Sequence, residues 1–284
     1  MALALREDST GEDRTSRAII PAHRRAIAHV LAERRGVVSG LGPAVVLGRV
    51  AGLRVRALAR DGDVVRRGDR VIEVRGEARA ILAAERSLLN LVMHLSGVAT
   101  ATRAAVGSAR GRFAILATRK TLPGLRALEK AAVVHGGGRP HRADLASGIL
   151  VKNNHLRFVK IGAAVGRLRR AYGRRWPIEV EVRSVSDAVA AVAAGADSLL
   201  VDNASPGRAR SIIRAARTRA RGRPLWVEIS GGLRAASLAR YRRSGADAAS
   251  LGALTHSATA LPFHLRFAPD RPPSASGRRA HRRR

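Results

Sequence analysis

The chain has 284 residues, 46% of them hydrophobic but only 3% aromatic, and 53 basic against 21 acidic side chains give a formal net charge of +32. That length buries a large core in one large or two modest domains, while the absence of cysteine excludes disulfides, thiol nucleophiles and cysteine-ligated metals. No run approaches the roughly 18 apolar residues of a membrane span, so no membrane partner is expected.

The charge suggests phosphate neutralisation on a nucleic acid. However, the arginines are spread along the whole chain, and four Phe, two Tyr and two Trp offer little surface for stacking bases. No specific nucleic-acid partner is expected, only weak, salt-sensitive association with polyanions. The opening, Met1 to Asp8, turns acidic and polar too early for a signal peptide, which makes the cytoplasm the expected location.

Residues 1–98 read as one unit. A polar opening holds Leu5, Glu7, Asp8 and Thr15. Ala44–Leu47 and Val71–Val74 have strand character, separated by turns at Asp61-Gly62-Asp63 and Arg67-Gly68-Asp69. From Ala78 to about Ala105, apolar residues recur at helical spacing (Ile81, Leu88, Val92, Leu95), with Gly97 as a kink or domain joint.

Beyond residue 113 short apolar runs alternate with Ala-rich helical stretches: Phe113–Leu116, Ile149–Val151, Ile178–Val182, Ser198–Val201, Leu225–Ile229 and Ala248–Leu251. Alternation of this kind predicts parallel βα units, and six of them fit a βα barrel better than an open sheet. Val185 to Ala194 reads as one connecting helix, starting at Ser186-Asp187. The near-identical turns Gly195-Ala196-Asp197 and Gly245-Ala246-Asp247 are a faint internal repeat. The Pro- and Arg-rich stretch 270–284 is expected to be a disordered basic tail.

In a βα barrel, reactive groups lie at the C-terminal strand ends. Here those ends carry Arg119-Lys120, Lys152, Glu181, Asp202-Asn203, Ser230-Gly231-Gly232 and Gly252. All four lysines of the chain (Lys120, Lys130, Lys152, Lys160) fall between residues 120 and 160, whereas every other basic residue is arginine. An ammonium and a guanidinium are not equivalent in a tight site. Small-residue turns free backbone N–H groups for a phosphate. Two carboxylates without cysteine suit Mg²⁺ held partly through substrate phosphates, and arginines suit carboxylates or phosphates. The set points to an acidic co-substrate together with a phosphorylated sugar.

These residues fall into motifs. Glu85-Arg86-Ser87-Leu88-Leu89-Asn90, His94-Leu95-Ser96-Gly97, Thr118-Arg119-Lys120-Thr121-Leu122-Pro123-Gly124, Glu129-Lys130 and Gly136-Gly137-Gly138 with His141-Arg142 come first. Lys152-Asn153-Asn154-His155, Glu179-Val180-Glu181, Asp202-Asn203, Ser230-Gly231-Gly232 and Gly252 to Ser257 follow. With these motifs in this order, the chain resembles the quinolinate phosphoribosyltransferase family from Leu5 to about Phe267.

The resemblance implies an N-terminal α/β sandwich domain over 1–98, to which 263–269 returns, and an incomplete α/β barrel over 99–262. It implies a homodimer that joins quinolinate to phosphoribosyl pyrophosphate with Mg²⁺, releasing pyrophosphate and CO₂ and leaving nicotinate mononucleotide, a step of NAD biosynthesis. By the family's pattern Arg119, His141, Arg142 and Lys152 hold the quinolinate carboxylates, with Arg86 reaching in from the second subunit. Lys120 lies between acid and sugar, Glu181 and Asp202 serve the ribose hydroxyls and Mg²⁺, and Ser230, Gly231, Gly232, Gly252 and His256 serve the 5′-phosphate.

Asn153 stands where the family often has Asp, and Asp144 where many members have Gly; neither departure removes an assigned cation. A related molybdenum-transport-associated branch shares the architecture but lacks the Lys-Asn-Asn-His stretch. Two alternatives stay open: a paralogue acting on another pyridine or aromatic carboxylate, and a polyanion-binding protein on a retired enzyme scaffold.

Overall fold

The polar opening is helical. It forms α1 (Ala2–Glu7) and α2 (Arg14–Ile19), the latter capped by Asp13, which accepts from Ser16 N at 2.9 Å. The structure is a computed structural model that describes residues 1–8 and 10–269; the expected tail at 270–284 lies outside the described residues. Next, β1 (Arg25–Ala32) buries Ala28, Val30 and Ala32 on one face, as period-two alternation requires. After the short β2 (Gly36–Val37) comes α3 (Leu41–Val50).

The stretch Ala44–Leu47, expected as a strand, therefore lies within a helix. Its buried residues Leu41, Ala44, Leu47 and Gly48 recur at helical spacing. Gly40, at φ +94°, turns the chain into it, and the Asp61 carboxylate accepts from Leu41 N at 3.0 Å. β-Branched side chains are only weak evidence for a strand when one helical stripe can be buried.

The strands β3 (Arg54–Ala57), β4 (Val64–Val65) and β5 (Arg70–Glu77) follow. β5 pairs antiparallel with both β1 and β3, and β2 with β4. The two expected turns are one design used twice. Gly62 and Gly68 have φ of +98° and +90°, and Asp63 and Asp69 accept from Arg60 N and Arg66 N at 2.8 and 2.7 Å.

The long helix α4 (Ala78–Ala109) runs unbroken through Gly97. A Cβ there would strike the backbone of Thr259 and Ala260, so the glycine permits a segment of chain to cross directly on the helix.

The second unit takes β6 (Ala114–Leu116), α5 (Arg126–His135), β7 (Ile149–Val151), α6 (Ile161–Tyr172), β8 (Ile178–Val182), α7 (Val185–Ala193), β9 (Ser198–Asp202), α8 (Pro206–Ala220) and β10 (Trp226–Ser230) in turn. A 3₁₀ segment at Ala235–Tyr241, β11 (Ala248–Ser250) and α9 (Ala253–His256) complete it. All six strands are parallel, in the order β6-β11-β10-β9-β8-β7. No ladder among the described residues joins β6 to β7, so the sheet curls into an open α/β barrel. Finally β12 (Phe263–Phe267) pairs antiparallel with β1, on the edge opposite β5.

The helix α7 starts at Val185, within the expected stretch, but its cap is Ser184 rather than Ser186-Asp187: the Ser184 Oγ accepts from Asp187 N at 3.0 Å. The two Gly-Ala-Asp turns are structural twins. Gly195 and Gly245 have φ of +92° and +87°. Asp197 accepts from Ile178 N and Arg169, and Asp247 accepts from Val227 N and Arg217. Each carboxylate thus ties the N-terminal end of a barrel strand to a neighbouring helix.

Candidate active site

Alternation along the barrel strands sorts their side chains into two sets. Val180, Val182, Leu199, Val201, Val227 and Ile229 are buried in the apolar layer. The residues between them, Glu181, Leu200, Asp202, Glu228 and Ser230, line a cavity of about 430 Å³. Arg119, Lys120, His141, Arg142, Lys152, Asn153, Arg183 and Ser250 line it too, so it sits at the C-terminal end of the barrel.

At one side stand two carboxylates. Glu181 Oε1 accepts from Asn153 Nδ2 at 2.6 Å. Asp202 Oδ2 accepts from Asn203 Nδ2 at 3.1 Å and from Arg183 Nη2 and Nε at 2.8 and 3.1 Å. Burial, and then the charge of Asp202, push the Glu181 carboxyl up from its ordinary range. A pair of oxygen donors that repel each other is a pair that gains from a hard cation.

Beneath lies a cluster centred on His141. Its Nε2 is 3.3 Å from Glu179 Oε2 and 3.4 Å from Glu228 Oε2, while Nδ1 accepts from Arg142 N at 2.8 Å. The Arg142 contact opposes a second proton on the ring, but two carboxylates outweigh it. Glu179 and then Glu228 raise the His141 pKa to about 9, and burial raises that of Glu179. Glu228 is only 1% exposed, and its Oε1 has no hydrogen-bond partner among the described residues.

Two of the cations are held by main chain. Lys130 Nζ donates to His141 O at 2.8 Å, its own pKa lowered by burial, and Arg142 Nη1 donates to Gly148 O at 3.0 Å. Arg119 Nε is buried without a partner among the described residues, a donor with unmet demand on a residue that lines the cavity. The loop that carries Lys120 is anchored twice. Thr255 Oγ1 donates to Lys120 O at 2.7 Å, and Leu122 N donates to Glu129. Glu129 in turn bonds His94 Nε2 at 2.7 Å.

Of the residues singled out from sequence, Arg119, Lys120, His141, Arg142, Lys152, Glu181, Asp202 and Ser230 come together around the cavity. Gly252 sits behind Lys120, where a Cβ would collide with the Lys120 and His256 side chains; His256 itself is exposed. Gly231 and Gly232 have φ of +90° and +60°, and Gly231 abuts Asn203 too closely for a Cβ. Arg86 lies exposed on α4 and does not line its own chain's cavity. His155 shapes its turn, accepting at Nδ1 from Lys152 N at 2.9 Å.

Sequence reading missed Glu179, Glu228 and Arg183 as members of the site. For the glutamates a signal existed: a charged residue in an apolar strand, in step with Glu181 or Ser230, must face a polar barrel interior.

The sequence matches the family described as "Quinolinate phosphoribosyl transferase, C-terminal domain" over residues 98–266, and the corresponding N-terminal domain over residues 13–96. It is 39% identical over 270 residues to a nicotinate-nucleotide pyrophosphorylase [carboxylating] of Mycobacterium leprae, covering 92% of this chain and 94% of that one. A probable enzyme of the same name from Methanothermobacter thermautotrophicus is 38% identical, with 92% and 95% covered. Among solved structures, NadC from Streptococcus pyogenes superposes with a TM-score of 0.84 at 35% identity, covering 94% of this chain and 95% of that one.

Proposed function

The chain belongs to the quinolinate phosphoribosyltransferase family, and we infer from this premise that it transfers phosphoribosyl from phosphoribosyl pyrophosphate to quinolinate with decarboxylation. The products are nicotinate mononucleotide, pyrophosphate and CO₂, which places the reaction in NAD biosynthesis. One observation carries the reading on this chain: a carboxylate pair, Glu181 and Asp202, shares a single cavity with cations that include Arg119, whose buried Nε has no partner among the described residues.

In this reading Arg119, Arg142 and Lys152 grip the two quinolinate carboxylates, with Arg86 contributed by a second copy in a homodimer. His141 belongs to the same grip. Both its ring nitrogens face protein groups, so Nε2 turns from the glutamates to reach a substrate oxygen. Lys120 stands between acid and sugar. Glu181 and Asp202 face the ribose hydroxyls and oppose the positive charge that develops on the sugar as pyrophosphate departs. Ser230, Gly231, Gly232 and Gly252 cradle the 5′-phosphate, with His256 beside it. Loss of CO₂ leaves an electron pair on the ring carbon, which the surrounding cations stabilise until a proton replaces the carboxylate.

The carboxylate pair fits Mg²⁺: both groups are oxygen donors, and burial followed by their mutual repulsion raises Glu181. When bound, the ion supplies charge neutralisation to the diphosphate. No helix among the described residues is long and apolar enough to cross a membrane, and the proposed location is the cytoplasm.

The test is CO₂ and pyrophosphate release by purified protein given quinolinate, phosphoribosyl pyrophosphate and Mg²⁺, with nicotinate in a parallel reaction. Equal release of both products with quinolinate alone is expected. Pyrophosphate released with a different acid would reassign the substrate. Silence with every acid would favour a polyanion-binding protein on this scaffold.

A further inference from the structure

Resting on the reading above, we propose that Arg183 is a diphosphate-binding residue, which pairs with Asp202 in this structure and transfers to the pyrophosphate group of phosphoribosyl pyrophosphate when that substrate binds. Arg183 follows directly on β8 and lines the cavity. Its Nε and Nη2 converge on one oxygen, Asp202 Oδ2, at 3.1 and 2.8 Å, and Nη2 lies 4.0 Å from Glu181 Oε1.

The pair uses only part of what a guanidinium offers. Arginine–carboxylate pairs are frequently bidentate, with the fork on both oxygens; here two donors crowd one oxygen. Of its five N–H groups, the other three have no partner among the described residues. The Arg183 side chain is 57% exposed, against 13% for Asp202 and 14% for Glu181, so the guanidinium covers the acid pair from the solvent side. Its backbone is fixed all the same, because Arg208 Nη2 donates to Arg183 O at 2.8 Å. A fixed backbone with a solvent-facing, half-used guanidinium describes a side chain that can swing without disturbing the strand.

Charge makes the same point. Arg119, Arg142 and Lys152 are committed to two carboxylates of the acid, which leaves Lys120 as the one cation nearest a diphosphate of several negative charges. Arg183 supplies the missing positive charge, and its departure frees Asp202 to meet the ribose or Mg²⁺. In the transfer itself the C1–O bond to diphosphate breaks, with its electron pair leaving on the oxygen, while the pyridine nitrogen forms the new bond to C1. Arg183 neutralises charge on the departing group.

The experiment titrates inorganic pyrophosphate, with and without Mg²⁺, into the full-length protein and its Arg183→Ala and Arg183→Lys variants by calorimetry, alongside steady-state KM values for both substrates. Loss of charge-assisted hydrogen bonds weakens binding on the order of ten- to a hundredfold. Arg183→Ala is therefore expected to lose pyrophosphate affinity by that factor and to raise KM for phosphoribosyl pyrophosphate but not for quinolinate. Arg183→Lys should recover part of both. Unchanged pyrophosphate affinity in Arg183→Ala would overturn the proposal, as would an equal rise in both KM values. A wild-type protein that turns over no quinolinate would instead overturn the reading of the reaction, whatever the variants do.

Discussion

Lys120 tests whether charge or shape matters at the centre of the site. Its backbone is anchored from α9 by Thr255, and the missing Cβ of Gly252 leaves room for its aliphatic stem. A guanidinium in that slot keeps the charge but is broader and planar. Lys120→Arg is expected to lower kcat by two orders of magnitude or so while the protein stays folded, as steady-state kinetics and circular dichroism would establish; near-normal kcat would remove the steric argument. His141 makes a different prediction. Its pKa, raised to about 9 by Glu179 and Glu228, lies above the ordinary value of about 6.5. The ion-pair contribution to stability is therefore fully present below about pH 6.5 and is lost as pH rises through about 9. Glu228→Gln removes one carboxylate and moves that loss to lower pH. Thermal melts of both proteins between pH 6 and 10 would follow it, and parallel curves would show that Glu228 does not hold the proton.

At the scale of elements, the repeated Gly-Ala-Asp turn separates stability from catalysis. Asp247 accepts from Val227 N at 2.8 Å and pairs with Arg217 at 3.1 Å, at the end of the sheet remote from the cavity. Asp247→Ala leaves a strand N–H unpaired and is expected to cost about 1–3 kcal/mol. For a chain of this size that is a fall in Tm of a few degrees per kcal/mol, with kcat/KM unchanged in assays at moderate temperature; a matching fall in kcat/KM would link this end to the site. The same turns show why the barrel was legible in the sequence. Each strand is a short apolar run followed by polar residues at one end, and parallel pairing buries both faces. The first unit was less legible. The segment 44–47 reads as a strand because Val45 and Val46 dominate it, yet the burial stripe through Leu41, Ala44, Leu47 and Gly48 makes it a helix. Gly97 reads as a break because nothing local reveals that Thr259 and Ala260 cross it. Arg183 went unread for a related reason: its partner Asp202 is distant in sequence, and a single arginine in a chain dominated by arginine carries no signal.

The whole molecule leaves one of the proposed site residues unaccounted for within a single chain. Arg86 projects from α4 in the first unit and is exposed, whereas the cavity lies at the mouth of the barrel in the second. If two copies pair so that each first unit faces the other's barrel, every site takes Arg86 from one chain and Lys120 from the other. In an isologous dimer the two sites are equivalent. An Arg86→Ala chain paired with a Lys120→Ala chain then carries both lesions in one site and neither in the other. Random exchange makes half the dimers mixed, each with one intact site of two, so an equimolar mixture of two inactive variants should recover about a quarter of wild-type activity. The formal charge of +32 on each chain opposes association at low ionic strength, and salt shortens the range of that repulsion to roughly 8 Å at 0.15 M. Recovery should therefore be measured after exchange in moderate salt, with mixed dimers counted independently by differently tagged chains. Mixed dimers without activity would place Arg86 outside the neighbouring site; activity in proportion to their number would place it inside.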